Sequence, residues 1–135
     1  MHNELTAEIL RLSFKIHTKL GSGLLESAYK ECLHYELTKH GLFVEKEKPM
    51  PLVYKEIKLT SGYRLDLLVE NSVVVEIKSV DAFCDAHIAQ MITYLKLSGC
   101  FLGLLLNFKM RSLKDGIKRI RIKDHSALNE IPNSK

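Results

Sequence analysis

The chain has 135 residues, 46% hydrophobic and 27% charged, with a formal net charge of +4. That length suits one domain, residues 1–135, around one hydrophobic core, and the composition is that of an ordinary globular protein. No apolar run approaches the roughly 18 residues that span a bilayer, so no membrane partner is expected, while the mildly basic charge permits a nucleic-acid partner without demanding one.

The start, Met1-His2-Asn3-Glu4, lacks the basic and apolar regions of a signal peptide, which points to a cytoplasmic protein. From Glu4 to Leu20 the apolar residues Leu5, Ile9, Leu12, Phe14, Ile16 and Leu20 predict a helix, interrupted by Gly21-Ser22-Gly23. A second helix runs to about His40 and ends at Gly41, a glycine C-cap; its stripe is Leu25, Ala28, Tyr29, Cys32 and Leu33. Strand texture follows. Leu42-Phe43-Val44 leads into the polar stretch Glu45–Lys48, and Pro49 and Pro51 break pairing. Leu52–Tyr54 and Ile57–Leu59 alternate, Ser61-Gly62 reads as a turn, and Tyr63–Val69 and Val73–Val80 as two further strands. Asp85–Ser98 predicts a helix with Ile88, Met91, Ile92 and Leu95 on one side, Phe101–Phe108 a buried strand, and Lys118–Lys123 a short basic one. This order predicts a mixed central sheet flanked by helices. Cys32, Cys84 and Cys100 are widely spaced without a CxxC pair and read as buried reduced thiols. The basic run Lys109–Lys123, whose one acid is Asp115, reads either as a phosphate-tracking surface or as a solvated strand edge.

The segment Arg64–Lys78 carries the most chemistry. Side chains alternate across a strand, so Leu65, Leu67 and Val69 share one face, as do Val73, Val75 and Ile77. If both rows meet one core, Val69 lies opposite Val73, leaving the loop Glu70-Asn71-Ser72, in which Asn71 tolerates a positive φ. Asp66 then falls opposite Glu76, and Arg64 opposite Lys78. Two carboxylates facing each other on a sheet repel, and a divalent cation between them would compensate. Lys78, on the same face, could orient a water or offset phosphate charge. The same pattern also fits a half-solvated strand face with Lys78 as counter-ion.

Asp66 followed by Glu76-Ile77-Lys78 resembles the D…ExK core of the PD-(D/E)XK nuclease superfamily. Gly23-Leu24-Leu25-Glu26-Ser27-Ala28-Tyr29 is similar to the signature of its GxxExxY family, with Ser22 where proline is expected. The resemblance continues through Arg64-Leu65-Asp66, Gln90 with Tyr94, and Gly103–Phe108, and covers roughly Ile9 to Ile122. It implies an α/β (α+β) restriction-endonuclease-like core with a mixed central β-sheet flanked by helices. It further implies metal ligands Asp66, Glu76 and Glu26, a catalytic lysine Lys78, a polar helix residue Gln90, Mg2+ or Mn2+ as cofactor, and phosphodiester hydrolysis. Tyr94, His87 and Arg64 are accessory candidates.

Each has a plainer reading. Glu26 could be a first-turn acid favoured by the helix dipole. Tyr94 could be core and His87 a surface histidine. Glu36 lies near the centre of the second-helix stripe, about 15 Å along the helix from Glu26, and reads as a structural partner of a Lys or Arg. No zinc, P-loop or GxSxG pattern is present. The function expected is a metal-dependent nuclease acting on nucleic acid, DNA before RNA. The alternatives are a non-catalytic nucleic-acid-binding or scaffold module, and a subunit active only in a larger complex. With little surface to spare, sequence specificity would come from a protein partner or a second copy of the chain, or be absent.

Overall fold

The computed structural model describes residues 2–60 and 62–124; Ser61, in the expected Ser61-Gly62 turn, lies outside the described residues, as do residues 1 and 125–135. The elements in chain order are α1 (His2–Leu20), α2 (Glu26–Lys39), β1 (Val44–Pro49), β2 (Leu52–Tyr54), β3 (Ile57–Leu59), β4 (Arg64–Val69), β5 (Val73–Lys78), α3 (Asp85–Ser98), β6 (Leu102–Asn107), a 3-10 turn (Leu113–Gly116) and β7 (Ile117–Arg121). Five strands form one sheet in the order β1-β4-β5-β6-β7, and β2 and β3 pair separately as a hairpin. Only the β5–β6 pairing in the large sheet is parallel, and α3 makes that crossover. This is the mixed, helix-flanked sheet that the element order predicts.

The two faces of the sheet bury separate clusters. Leu67, Val69, Val73, Val75, Ile77 and the alternate β6 residues Leu102, Leu104 and Leu106 pack against Ile9, Leu12 and Ile16 of α1 and Tyr29, Leu33 and Leu37 of α2. On the other face Leu68, Val74 and Leu105 meet Met91, Tyr94 and Leu95 of α3. Burying both faces explains why β5 and β6 read as continuous apolar runs. Some apolar residues of the predicted helices lie at the surface. Phe14 and Leu20 are exposed on α1, and Leu25 precedes α2 as its N-cap and is 76% exposed. Cys100 is buried and Cys32 partly so, but Cys84 is exposed because it is the N-cap of α3, where the loop enters the helix at the surface.

Local chemistry sets the boundaries. Helix α2 ends in a Schellman turn: Leu42 N–H donates to Leu37 O and Gly41 N–H to Thr38 O, with Gly41 at φ 88°. The β4–β5 loop places both Glu70 and Asn71 at positive φ, one more residue than the loop required in advance, and Ser72 N–H closes it on Val69 O. Pro49 does not break pairing; it ends β1 opposite Arg64, and Met50 N–H continues to Tyr63 O. Gly116 is required for a different reason. A Cβ there would lie 2.5 Å from the Asn107 carbonyl oxygen, a backbone atom that cannot swing aside. Gly116→Ala should therefore cost about 1–3 kcal/mol. A urea melt within 0.5 kcal/mol of wild type would contradict this packing.

Candidate active site

The site forms where the sheet splits. The β4–β5 register runs through Val69–Val73, Leu68–Val74 and Leu67–Val75 and then stops, although both strands continue. Beyond that point β4 stays with β1, pairing Leu65 with Lys48 and Arg64 with Pro49, while β5 stays with β6 through Lys78–Asn107. The fork leaves backbone donors without ladder partners, and the two acids at its mouth take them. Asp66 N–H donates to Glu76 Oε2 at 2.8 Å, and Ile77 N–H donates to Asp66 Oδ2 at 2.8 Å. One register step past Leu67–Val75, Asp66 and Glu76 thus stand side by side. The pairing of Val69 with Val73 holds, but past the fork Leu65 leaves the row of Leu67 and Val69 and joins the α3-side cluster with Met50 and Tyr94.

One oxygen of each acid is thereby used. The other takes no hydrogen bond, and no buried side-chain oxygen among the described residues lacks a partner, so these oxygens reach solvent. Glu76 is nevertheless only 3% exposed. Burial, then the neighbouring Asp66 carboxylate, push its pKa up to about 8, against the smaller opposing pull of the Asp66 N–H, Lys78 and Lys30. Burial also raises Asp66, offset in part by the Ile77 N–H, Lys30 and Lys78, while Glu26 raises it further. A buried and a half-buried carboxylate that resist ionisation side by side, each with an oxygen to offer, suit a hard divalent cation.

The surrounding side chains come from three elements. Lys78, two residues beyond Glu76, donates from Nζ to Gln90 Oε1 of α3 at 2.9 Å. Tyr94, one turn further along α3, is buried, yet its hydroxyl bonds the Arg64 backbone; burial and then Glu76 and Asp66 raise its pKa. Glu26, in the first turn of α2, accepts from Ser79 N–H at 2.8 Å, just beyond β5. It thus lies at the same end of the sheet, but among the described residues no three His, Cys, Asp or Glu side chains converge to hold a metal ion. Tyr29, one turn on, donates to Gly21 O, accepts from Leu24 N–H at 3.0 Å, and stacks on Phe108.

The structure does not bring every candidate to the fork. Arg64 does not face Lys78; the fork carries β4 away from β5, and its guanidinium lies 3.7 Å from Glu47. His87 caps α3, its Nδ1 accepting from Cys84 N–H at 3.1 Å. Glu36 is ion-paired with Lys15 at 3.4 Å. Two further residues escaped the sequence reading. Lys30 Nζ lies 4.0 Å from Asp66 Oδ1 and 2.9 Å from Glu47. Burial alone would lower its pKa, but Glu47 and Asp66 raise it overall, so it stays a cation beside the acids. Its signal was its place one turn after Glu26. Asn107 is buried and bonds both Val80 N–H and Val80 O, fixing the chain that leaves β5.

A model of the PD-(D/E)XK nuclease superfamily matches residues 3–120. No curated protein and no solved structure matches the chain. No helix among the described residues is long and apolar enough to cross a membrane. Matched over that length, with a restriction-endonuclease-like sheet and paired strand acids followed by a lysine, the chain belongs to the PD-(D/E)XK nuclease superfamily.

Proposed function

We propose that the protein is a metal-dependent nuclease that hydrolyses phosphodiester bonds, with DNA preferred over RNA, and that it falls within the GxxExxY group through Gly23, Glu26 and Tyr29. The observation that carries this reading is the fork: half-buried Asp66 beside buried Glu76, with Lys78 two residues further along β5 and hydrogen-bonded to Gln90. Asp66 and Glu76 would hold Mg2+ or Mn2+ through their solvent-facing oxygens, with Glu26 reaching the ion through water. When bound, the ion would supply Lewis acidity toward the scissile phosphate. Lys78 would place its ammonium against the phosphate oxygens, and Gln90 would hold that ammonium in position. Lys30 would balance charge on Asp66 before the substrate arrives.

The experiment is a paired measurement of melting and cleavage. Mg2+ or Mn2+ should raise the melting temperature with a stabilisation of RT ln(1 + [L]/Kd), about 2.7 kcal/mol at one hundred times Kd. Asp66→Asn should abolish that response, and the wild type should nick single- or double-stranded DNA only with the ion present. A melting curve indifferent to both ions would make the fork purely structural.

One observation favours a second reading. Glu26 is engaged by Ser79 N–H and no three-acid cluster is gathered among the described residues, as suits a nucleic-acid-binding module or a subunit completed by a partner. Glu26→Gln separates the two readings. Weaker metal binding with stability within about 0.5 kcal/mol supports the nuclease. Loss of roughly 1 kcal/mol with unchanged metal affinity makes Glu26 a structural cap.

A further inference from the structure

Outside the fork, an open cavity of about 540 Å3 lies between the last turn of α1, the loop into α2 and the 3-10 turn. Its polar lining is Thr18, Ser22, Arg111, Ser112 and Lys114, with His17 on the wall, and no acid among the described residues lines it. Among the described residues, Arg111 and Lys114 take part in no ion pair, and the hydroxyls of Thr18, Ser22 and Ser112 make no hydrogen bond. His17 Nε2 is committed to Met110 O at 2.8 Å. Two cations and three hydroxyl donors without partners among the described residues, around one concavity, suit an oxyanion, whereas a cationic ligand would be repelled.

The cavity's walls are tied to the strand end that carries Lys78. One wall, Ser22, stands four residues before Glu26, and its loop is held by the Tyr29 hydroxyl through Gly21 O and Leu24 N–H. The other leaves β6 through Phe108, which stacks on Tyr29 and whose N–H donates to Lys78 O at 2.9 Å. These links through buried Tyr29 and Phe108 fix the cavity's walls relative to the strand end that carries Lys78.

We propose that this cavity is a phosphate subsite, holding a non-scissile backbone phosphate of the nucleic-acid strand presented to Asp66, Glu76 and Lys78. The assignment rests on the nuclease reading for its substrate class. The test measures binding of a fluorescent DNA oligonucleotide by anisotropy across a salt series, in an Asp66→Asn background so that nothing is cut. Arg111→Ala with Lys114→Ala should weaken binding at least tenfold and lower the salt slope by roughly one to two. Lys55→Ala with Lys58→Ala, removing the same charge from the β2–β3 hairpin, should change affinity less than threefold. Arg111 and Lys114 are exposed, so the melting temperature should stay within a few degrees; Lys114→Glu alone serves as a second variant and should weaken binding further than Lys114→Ala.

Equal losses from the two double variants would mean diffuse attraction and overturn the subsite, as would no loss from the Arg111 and Lys114 pair. If inorganic phosphate at millimolar concentration raises the wild-type melting temperature but the Arg111 and Lys114 pair still binds DNA like its parent, the cavity serves a free anion, and the strand assignment is overturned. A separate cleavage assay on the otherwise wild-type chain keeps the two ideas apart. Selective binding loss without any wild-type cleavage supports the subsite and removes the catalytic reading; cleavage with binding indifferent to Arg111 and Lys114 does the reverse.

Discussion

Glu76→Gln should stabilise the metal-free protein at pH 8 relative to wild type and flatten its pH dependence. The folded-state pKa of Glu76 is about 8 against an ordinary 4.5. Between those values the native state binds this proton more tightly than the unfolded chain, so stability falls as pH rises through the window. The full effect is on the order of 4 kcal/mol, roughly 10 °C or more in melting temperature for a chain of this size. Asp66, also raised by burial, adds in the same direction at the acid end. Glu8, Glu47 and Asp81 are lowered by their cationic partners; what they add is lost only as pH falls through the acid range. Glutamine keeps an oxygen for the Asp66 N–H and carries no charge to desolvate. The measurement is a melting series in chelator from pH 5.5 to 8. A wild-type melting temperature that is flat or rises across that range would refute the buried-pair account.

Lys78→Met should reduce DNA cleavage by about two to three orders of magnitude while leaving the melting response to Mg2+ intact. The ammonium is the cation that β5 and α3 together aim at the fork, and it ligates nothing a metal would need. Its bond to Gln90 is exposed, so little stability is lost with it. Gln90→Ala should act through Lys78, with a smaller loss of rate and the same metal response. Single-turnover cleavage at saturating metal reads both; wild-type rates in Lys78→Met would remove the lysine from the chemistry.

The two strands and their register could be read from the sequence because period-2 alternation leaves one pairing that buries both apolar rows. Val69 opposite Val73 placed Asp66 beside Glu76 by counting alone. The fork could not be read, because it depends on carboxylates replacing backbone acceptors, and hydropathy does not record which hydrogen bond a residue makes. Leu65 and Arg64 were misplaced for that reason: each lies beyond the point where β4 parts from β5. Lys30 was missed because a helical lysine reads as solvent-facing unless the opposing strand is known. Periodicity put Leu25 on the second-helix stripe and Phe14 among the apolar residues of the first helix, but the neighbouring elements do not cover either. The basic run also divides in a way charge counting could not show: Lys118, Arg119 and Arg121 lie on the edge strand β7, and Arg111 and Lys114 turn into the cavity.

The exchanged hydrogen bonds at the fork also bear on how such a site decays. The Asp66 and Glu76 carboxylates accept backbone N–H groups as rungs between separating strands, besides offering oxygens to a cation. A lineage that lost its chemistry would still be selected to keep an acceptor side chain, acid or amide, at both places, because an alanine at either strands a backbone N–H. Lys78 carries no such second duty. Across descendants of this architecture, the lysine should be the first of the three to drift when catalysis is abandoned, and its identity is the sharper marker of a working enzyme.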